Sequence, residues 1–215
     1  MDLVLISPIC ETICFLASLT LYFQASIPKY LKTFPFFLLI TTIVEITSLL
    51  YMQHSPYLTL LFIIFTSFEF VYYLFIVGFS IANKKVRKVI LWILAIYPLL
   101  VLLNRLFYQV KTFHTVTYSI GCLLVVASCI YYFFELFQNP RSVDLKKEPS
   151  FWICSALLFF YCCTFPLIGL YNQLHGLTDI ILRNLNAILQ LLNVLLYSLF
   201  SIACLCRIGL RNSVK

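Results

Sequence analysis

The sequence predicts an all-α, polytopic membrane protein built as a bundle of seven transmembrane helices, and three observations predict it. First, 62% of the 215 residues are hydrophobic and only 11% are charged, with a mean hydropathy of +0.99. A soluble domain averages about 45–50% apolar and about 25% charged residues, so no soluble core could hide this much apolar surface. Second, the apolar residues fall into seven long runs separated by short polar connectors. Each run is long enough for a helix to cross a hydrocarbon layer of about 30 Å. Third, Lys and Arg alternate between the two sets of connectors as a seven-span chain requires.

The elements follow in order. Span one is read from about Leu3 to Gln24 and ends at the basic connector Ile27-Pro28-Lys29-Tyr30-Leu31-Lys32. The beginning, Met1 to Cys10, has no basic segment and no small-residue cleavage site, so it is expected to belong to this first span rather than to a signal peptide. Span two runs from about Phe34 to Tyr51, followed by the turn Gln53-His54-Ser55-Pro56. Span three runs from about Tyr57 to Ile81 and meets the strongest charge run of the chain, Asn83-Lys84-Lys85-Val86-Arg87-Lys88. Span four runs from about Val89 to Phe107, and the next connector holds Lys111 and His114. Span five runs from about Val116 to Phe137, before the longest polar loop, Asn139 to Pro149. Span six runs from about Phe151 to Tyr171, with Pro166 expected to kink it. Span seven runs from about Thr178 to Cys206, and Arg207 to Lys215 form a tail. The whole chain, residues 1–215, reads as a single seven-helix transmembrane domain. Runs without strict alternation exclude a barrel, and backbone groups in lipid must then be satisfied within helices.

Charge sets the expected orientation. One side receives Lys29, Lys32, Lys84, Lys85, Arg87, Lys88, Arg141, Lys146, Lys147, Arg207, Arg211 and Lys215, and the other only Arg105, Lys111 and Arg183. The twelve basic residues against three predict that the first side is cytoplasmic, with the N-terminus outside and the C-terminus inside. The net charge of +7 is explained by these connectors, and without a basic patch interleaved with aromatics no nucleic-acid partner is expected. The expected partners are the lipid bilayer itself and a second copy or a cytoplasmic protein meeting the basic loops.

Ionisable residues within membrane spans are costly and point to function. The chain has Glu11 in span one, Glu45 in span two and Glu69 in span three, with Glu135 near the end of span five. At about 1.5 Å per residue, Glu11 lies roughly 12 Å, Glu45 roughly 10 Å and Glu69 roughly 18 Å below the outer ends of their spans. All three carboxyls are therefore expected in the outer half of the bilayer. Each sits on a polar stripe at helical spacing: Glu11, Cys14, Ser18 and Tyr22; Thr41, Glu45 and Ser48; Thr66, Glu69, Tyr72 and Tyr73. Span seven adds Arg183, Asn186, Gln190, Asn193, Tyr197 and Ser201. Arg105 and Arg183 are the cations placed deep enough to meet the carboxyls. The expected ligand or ion cavity is thus lined by Glu11, Glu45, Glu69, Tyr72, Tyr73, Arg105, Arg183, Asn186, Gln190 and Asn193. The competing reading is helix packing, because polar side chains also join membrane helices, at about 0.6 kcal/mol each.

No cofactor is expected. His54, His114 and His175 fall in outer connectors without ligand-type spacing, so no metal site is expected either. The nine cysteines lie mostly within apolar runs and lack knuckle spacing. No nucleophile elbow, Walker loop or Rossmann fingerprint is present. Three function classes stay open: a receptor-like or sensory protein binding a small ligand or ion in the outer half; a channel or a proton or cation transporter using the carboxyls; and an intramembrane metal-dependent hydrolase. A cavity sealed from the cytoplasm favours the first, a continuous polar path the second, and converging histidines the third.

Three stretches carry a resemblance: Leu31-Lys32-Thr33-Phe34-Pro35 with Glu45 ten residues beyond Pro35, Phe68-Glu69-Phe70-Val71-Tyr72-Tyr73, and Asn193-Val194-Leu195-Leu196-Tyr197-Ser198-Leu199-Phe200. They resemble a group of small seven-helix membrane proteins of bacteria for which no activity is known. The resemblance implies a bacterial inner-membrane setting and no particular chemistry.

Overall fold

The computed structural model describes residues 6–24, 27–50, 56–107, 115–138, 145–173 and 179–207, apart from the side chains of residues 49, 56–59, 169–173 and 179–183. Seven α-helices account for nearly all of it: α1 (Ile6–Ser18), α2 (Phe34–Leu50), α3 (Pro56–Ser80), α4 (Lys84–Phe107), α5 (Thr115–Gln138), α6 (Pro149–Gln173) and α7 (Asp179–Leu205). Short 3₁₀ turns extend α1 over Leu19–Phe23 and lead into α2 over Lys29–Thr33 and into α6 over Leu145–Lys147. Proline marks three helix starts, at Pro35, Pro56 and Pro149, where its missing N–H would have no partner anyway. Pro166 lies inside α6, which continues past it, and α4 likewise continues past Pro98.

All seven helices are long and apolar enough to cross a membrane. Their surfaces agree with that solvent. On α1 the buried face carries Ser7, Glu11, Cys14 and Ser18, while Ile9, Ile13 and Leu16 are exposed. A helix that hides its polar stripe and presents isoleucine and leucine outward is stable only where the surroundings are apolar.

The helices close a ring. α1 packs between α2 and α7, α7 against α6, and α6 against α5; α3 packs on α4 and α5 and touches α2 and α6 lightly. The connectors richest in Lys and Arg meet at one end, here called the basic end. There the Tyr30 hydroxyl lies 3.3 Å from Ser80 Oγ and 3.1 Å from Ser150 Oγ, tying the start of α2 to the end of α3 and the start of α6. Gln24 Nε2 donates to the Cys204 carbonyl at 3.0 Å, and Arg207 pairs with Glu148 at 2.7 Å.

Glu135, expected to lie near an interface, has a structural role at this end. Its two carboxylate oxygens accept the backbone N–H groups of Ala82 (2.7 Å) and Asn83 (2.8 Å) just before α4. Asn83 Oδ1 accepts from the Lys85 N–H at 3.0 Å, capping the helix. Arg87 donates to the Ile81 carbonyl and lies over the Phe79 ring.

Candidate functional site

The three glutamates start from different helices and reach a common level. Glu11, Glu45 and Glu69 each sit eleven or twelve residues from the basic end of their spans, which end there at Phe23, Phe34 and Ser80. That is roughly 17–20 Å of helix. In a hydrocarbon layer of about 30 Å it is the midplane, or slightly beyond it toward the opposite end.

The carboxyl groups also influence one another. Glu11 is within electrostatic reach of both Glu45 and Glu69, and Glu69 of Glu45. Glu11 is almost fully buried, at 4% exposure, and lies near the Tyr197 hydroxyl of α7. Its second oxygen, Oε2, is buried without a partner. Glu69 Oε1 accepts from the Tyr73 hydroxyl at 2.9 Å, one helical turn along α3. Glu45 and Glu69 are only half-buried, in keeping with the light contact between α2 and α3.

The remaining stripe residues divide sharply. The hydroxyls of Thr41 and Ser201, like those of neighbouring Thr42 and Ser67 off the stripes, donate to the carbonyl four residues back on their own helix. Such back-bonding satisfies a hydroxyl without help from a ligand. Gln190 is half-buried on α7, with Oε1 buried and unpartnered; Asn193 is half-buried and Asn186 exposed. Tyr72 is turned away from the carboxyls toward the basic end. Its hydroxyl meets Thr33 Oγ1 at 3.1 Å and its ring stacks on Phe37 with centroids 4.1 Å apart. Arg105 is half-buried in the last turn of α4, a helix that packs on α3 and α5. The Arg183 side chain and the histidines His54, His114 and His175 lie outside the described residues. Among the described residues no group of three or more His, Cys, Asp and Glu side chains is arranged to hold a metal ion.

A chain of buried aromatics runs from the basic-end side of the carboxyls to their own level and beyond. Phe34 meets Phe200 edge-on at 5.2 Å, Phe37 meets Tyr73 at 5.4 Å, and Tyr73 meets Tyr161 at 6.0 Å. Tyr161 in turn lies 5.2 Å from Phe70, which packs against Tyr97 and Tyr118. These aromatics link α2, α3, α4, α5, α6 and α7, and Phe34, Phe37, Phe70, Tyr73 and Phe200 have no exposed surface.

Two residues absent from the sequence-derived set lie beside Glu11. Tyr197 is near its carboxyl, and its place on the span-seven stripe was the signal for it. Ser7, at 3% exposure with an unpartnered hydroxyl, extends the Glu11 face by one turn. Tyr161 had no such signal, because nothing local separates it from the other aromatics of α6.

A cavity of about 520 Å³ opens at the basic end beside Tyr30, Phe79, Arg87, Tyr132, Glu135 and Glu148. Its Arg87, Glu135 and Glu148 are engaged as described above, so it has the character of a gap between connectors.

Comparison of the chain with protein-family models, curated proteins and solved structures finds no match. The likeness carried by the three short apolar stretches therefore supports no argument about activity, and function rests on the residues themselves.

Proposed function

We propose that this chain is a receptor-like or sensory integral membrane protein that binds a small ligand or ion at the Glu11/Glu45/Glu69 cluster. The ligand enters from the end opposite the basic connectors. The observation that carries the reading is the gathering of three carboxyls at one level beside a chain of buried aromatics. Costly groups held together in the interior favour a binding role over scattered packing contacts. The buried aromatics argue against the channel or transporter reading, which needs a polar route through the same region. The hydrolase reading needs histidines that converge, and His54, His114 and His175 all lie outside the described residues. Orientation belongs to the same proposal: the basic connectors face the cytoplasm of a bacterial cell, where they meet a protein partner or anionic lipid.

The test uses the full chain in lipid nanodiscs. A set of small polar compounds and simple salts is screened for a rise in melting temperature, on the wild type and on Glu45→Gln and Glu69→Gln. A ligand at a hundred times its Kd stabilises by about 2.7 kcal/mol. The expected result is at least one compound that stabilises the wild type and neither variant, while both variants elute as folded protein. The reading is overturned if no compound separates wild type from variants, or if proteoliposomes show cation or proton flux that depends on Glu69.

A further inference from the structure

Four buried side-chain oxygens among the described residues have no hydrogen-bond partner: Ser7 Oγ, Glu11 Oε2, Gln24 Oε1 and Gln190 Oε1. Gln24 belongs to the basic end, where its amide nitrogen holds the Cys204 carbonyl. The other three share one region. α1 and α7 run parallel, with Gln24 bonded to the Cys204 carbonyl and Glu11 near Tyr197. That register places Ser7 level with Asn193, and Gln190 one turn farther from the basic end. Ser7, Glu11 and Gln190 thus form a short row on the α1–α7 seam.

The chemistry of the row is one-sided. A carboxylate oxygen and an amide oxygen only accept hydrogen bonds, and a serine hydroxyl accepts as readily as it donates. Buried polar atoms without partners are rare in folded proteins, and each one asks for a missing group. Here the missing group has to be rich in donors. It also sits beside three carboxyls, so positive charge is favoured. A bare metal ion would need several oxygens converging within its coordination distance, and no three of the described acidic, histidine or cysteine side chains are so placed. A primary ammonium ion meets every requirement: it has three N–H donors, no acceptor and a unit positive charge.

We infer that the ligand of the proposed receptor site is a primary ammonium compound, its N–H donors taken by the acceptor row of Ser7, Glu11 and Gln190 and its charge offset by Glu11, Glu45 and Glu69. The inference rests on the receptor reading and names the class of molecule that this site takes.

The experiment compares three probes of similar size on the full chain in nanodiscs by titration calorimetry, with empty nanodiscs as the blank. n-Butylammonium carries charge and donors, n-butyltrimethylammonium carries charge without donors, and n-pentanol carries no charge. The expected result is saturable binding of n-butylammonium, at least about tenfold weaker binding of the trimethyl analogue, and none of the alcohol. A loss of charge-assisted hydrogen bonds is large enough for such a factor. Glu11→Gln and Gln190→Leu should each weaken n-butylammonium binding by about tenfold or more, whereas Glu148→Gln, the same kind of change at the basic end, should not. If Glu11→Gln does not fold, Gln190→Leu carries the same comparison. Equal binding of the two cations, or no saturable binding of n-butylammonium, overturns the ammonium assignment. In that event a compound from the wider screen that stabilises wild type but not Glu69→Gln leaves the receptor reading standing. If no such compound exists either, both fall.

Discussion

Gly121 sets how closely α5 approaches α3, and replacing it tests the packing that carries Glu69. A Cβ at position 121 would lie 2.8 Å from three atoms of the Phe70 ring. Ordinary carbon contacts are about 3.5–4.0 Å, so the ring must retreat by about 0.7 Å or more in Gly121→Ala. It has no free direction. Phe70 is fully buried, with Tyr118 and Tyr161 each at 5.2 Å and Tyr97 at 5.8 Å between ring centroids. The strain must therefore be relieved by moving α3 away from α5. Adding a methyl to a packed interior typically costs about 1–3 kcal/mol. Equilibrium unfolding in mixed micelles, with the wild type alongside, measures the loss directly. The double variant Gly121→Ala/Phe70→Leu should recover part of it, giving a coupling of at least about 0.5 kcal/mol between the two sites. A Gly121→Ala protein within about 0.5 kcal/mol of wild type, or strictly additive effects in the double variant, would refute the argument. Because Glu69 adjoins Phe70 on α3, the same change should also weaken any ligand bound at the carboxyls.

Three further outcomes are expected. Glu135→Gln leaves one of the Ala82 and Asn83 N–H groups without its acceptor and removes a negative charge before α4; it should cost about 0.5–2 kcal/mol and speed hydrogen exchange at those two amides, and unchanged exchange would show that the contact does not hold the connector. Burial pushes the Cys206 thiol, just beyond α7, up to about 11, with the Arg207 guanidinium pulling the other way; the thiol form thus dominates at pH 8, and site-resolved mass spectrometry should find iodoacetamide alkylation slow there and rising tenfold per pH unit toward 11, whereas fast modification at pH 8 would contradict this. A cysteine introduced at Ser55 or Thr112 should be labelled by an impermeant maleimide from outside sealed cells, and one at Lys85 or Val143 should not; labelling at Lys85 would reverse the orientation.

Much of this protein is legible along one dimension. The number of spans, their approximate ends and the depth of each glutamate depend only on where apolar runs begin and on a fixed rise per residue. Hence Glu11, Glu45 and Glu69 could be placed near one level from the sequence, and the structure sets them eleven or twelve residues from the basic end. The alternation of Lys and Arg is equally linear, since it depends only on counting connectors. What the chain could not disclose is rotation about each helix axis. Successive residues on a helix point about 100° apart, so Tyr72 and Tyr73 are neighbours in sequence and strangers in space: Tyr73 holds Glu69, and Tyr72 holds Thr33 at the basic end. The same uncertainty hid the role of Tyr197 opposite Glu11 and of Glu135 on the α3–α4 connector. It also left open whether the stripe hydroxyls of Thr41 and Ser201 serve a site, when their own helices already satisfy them. Rotation and neighbour choice are decided by how whole helix faces interlock, as where Gly121 admits the Phe70 ring. Many residues far apart in the chain set that fit together, so only the tertiary structure decides it.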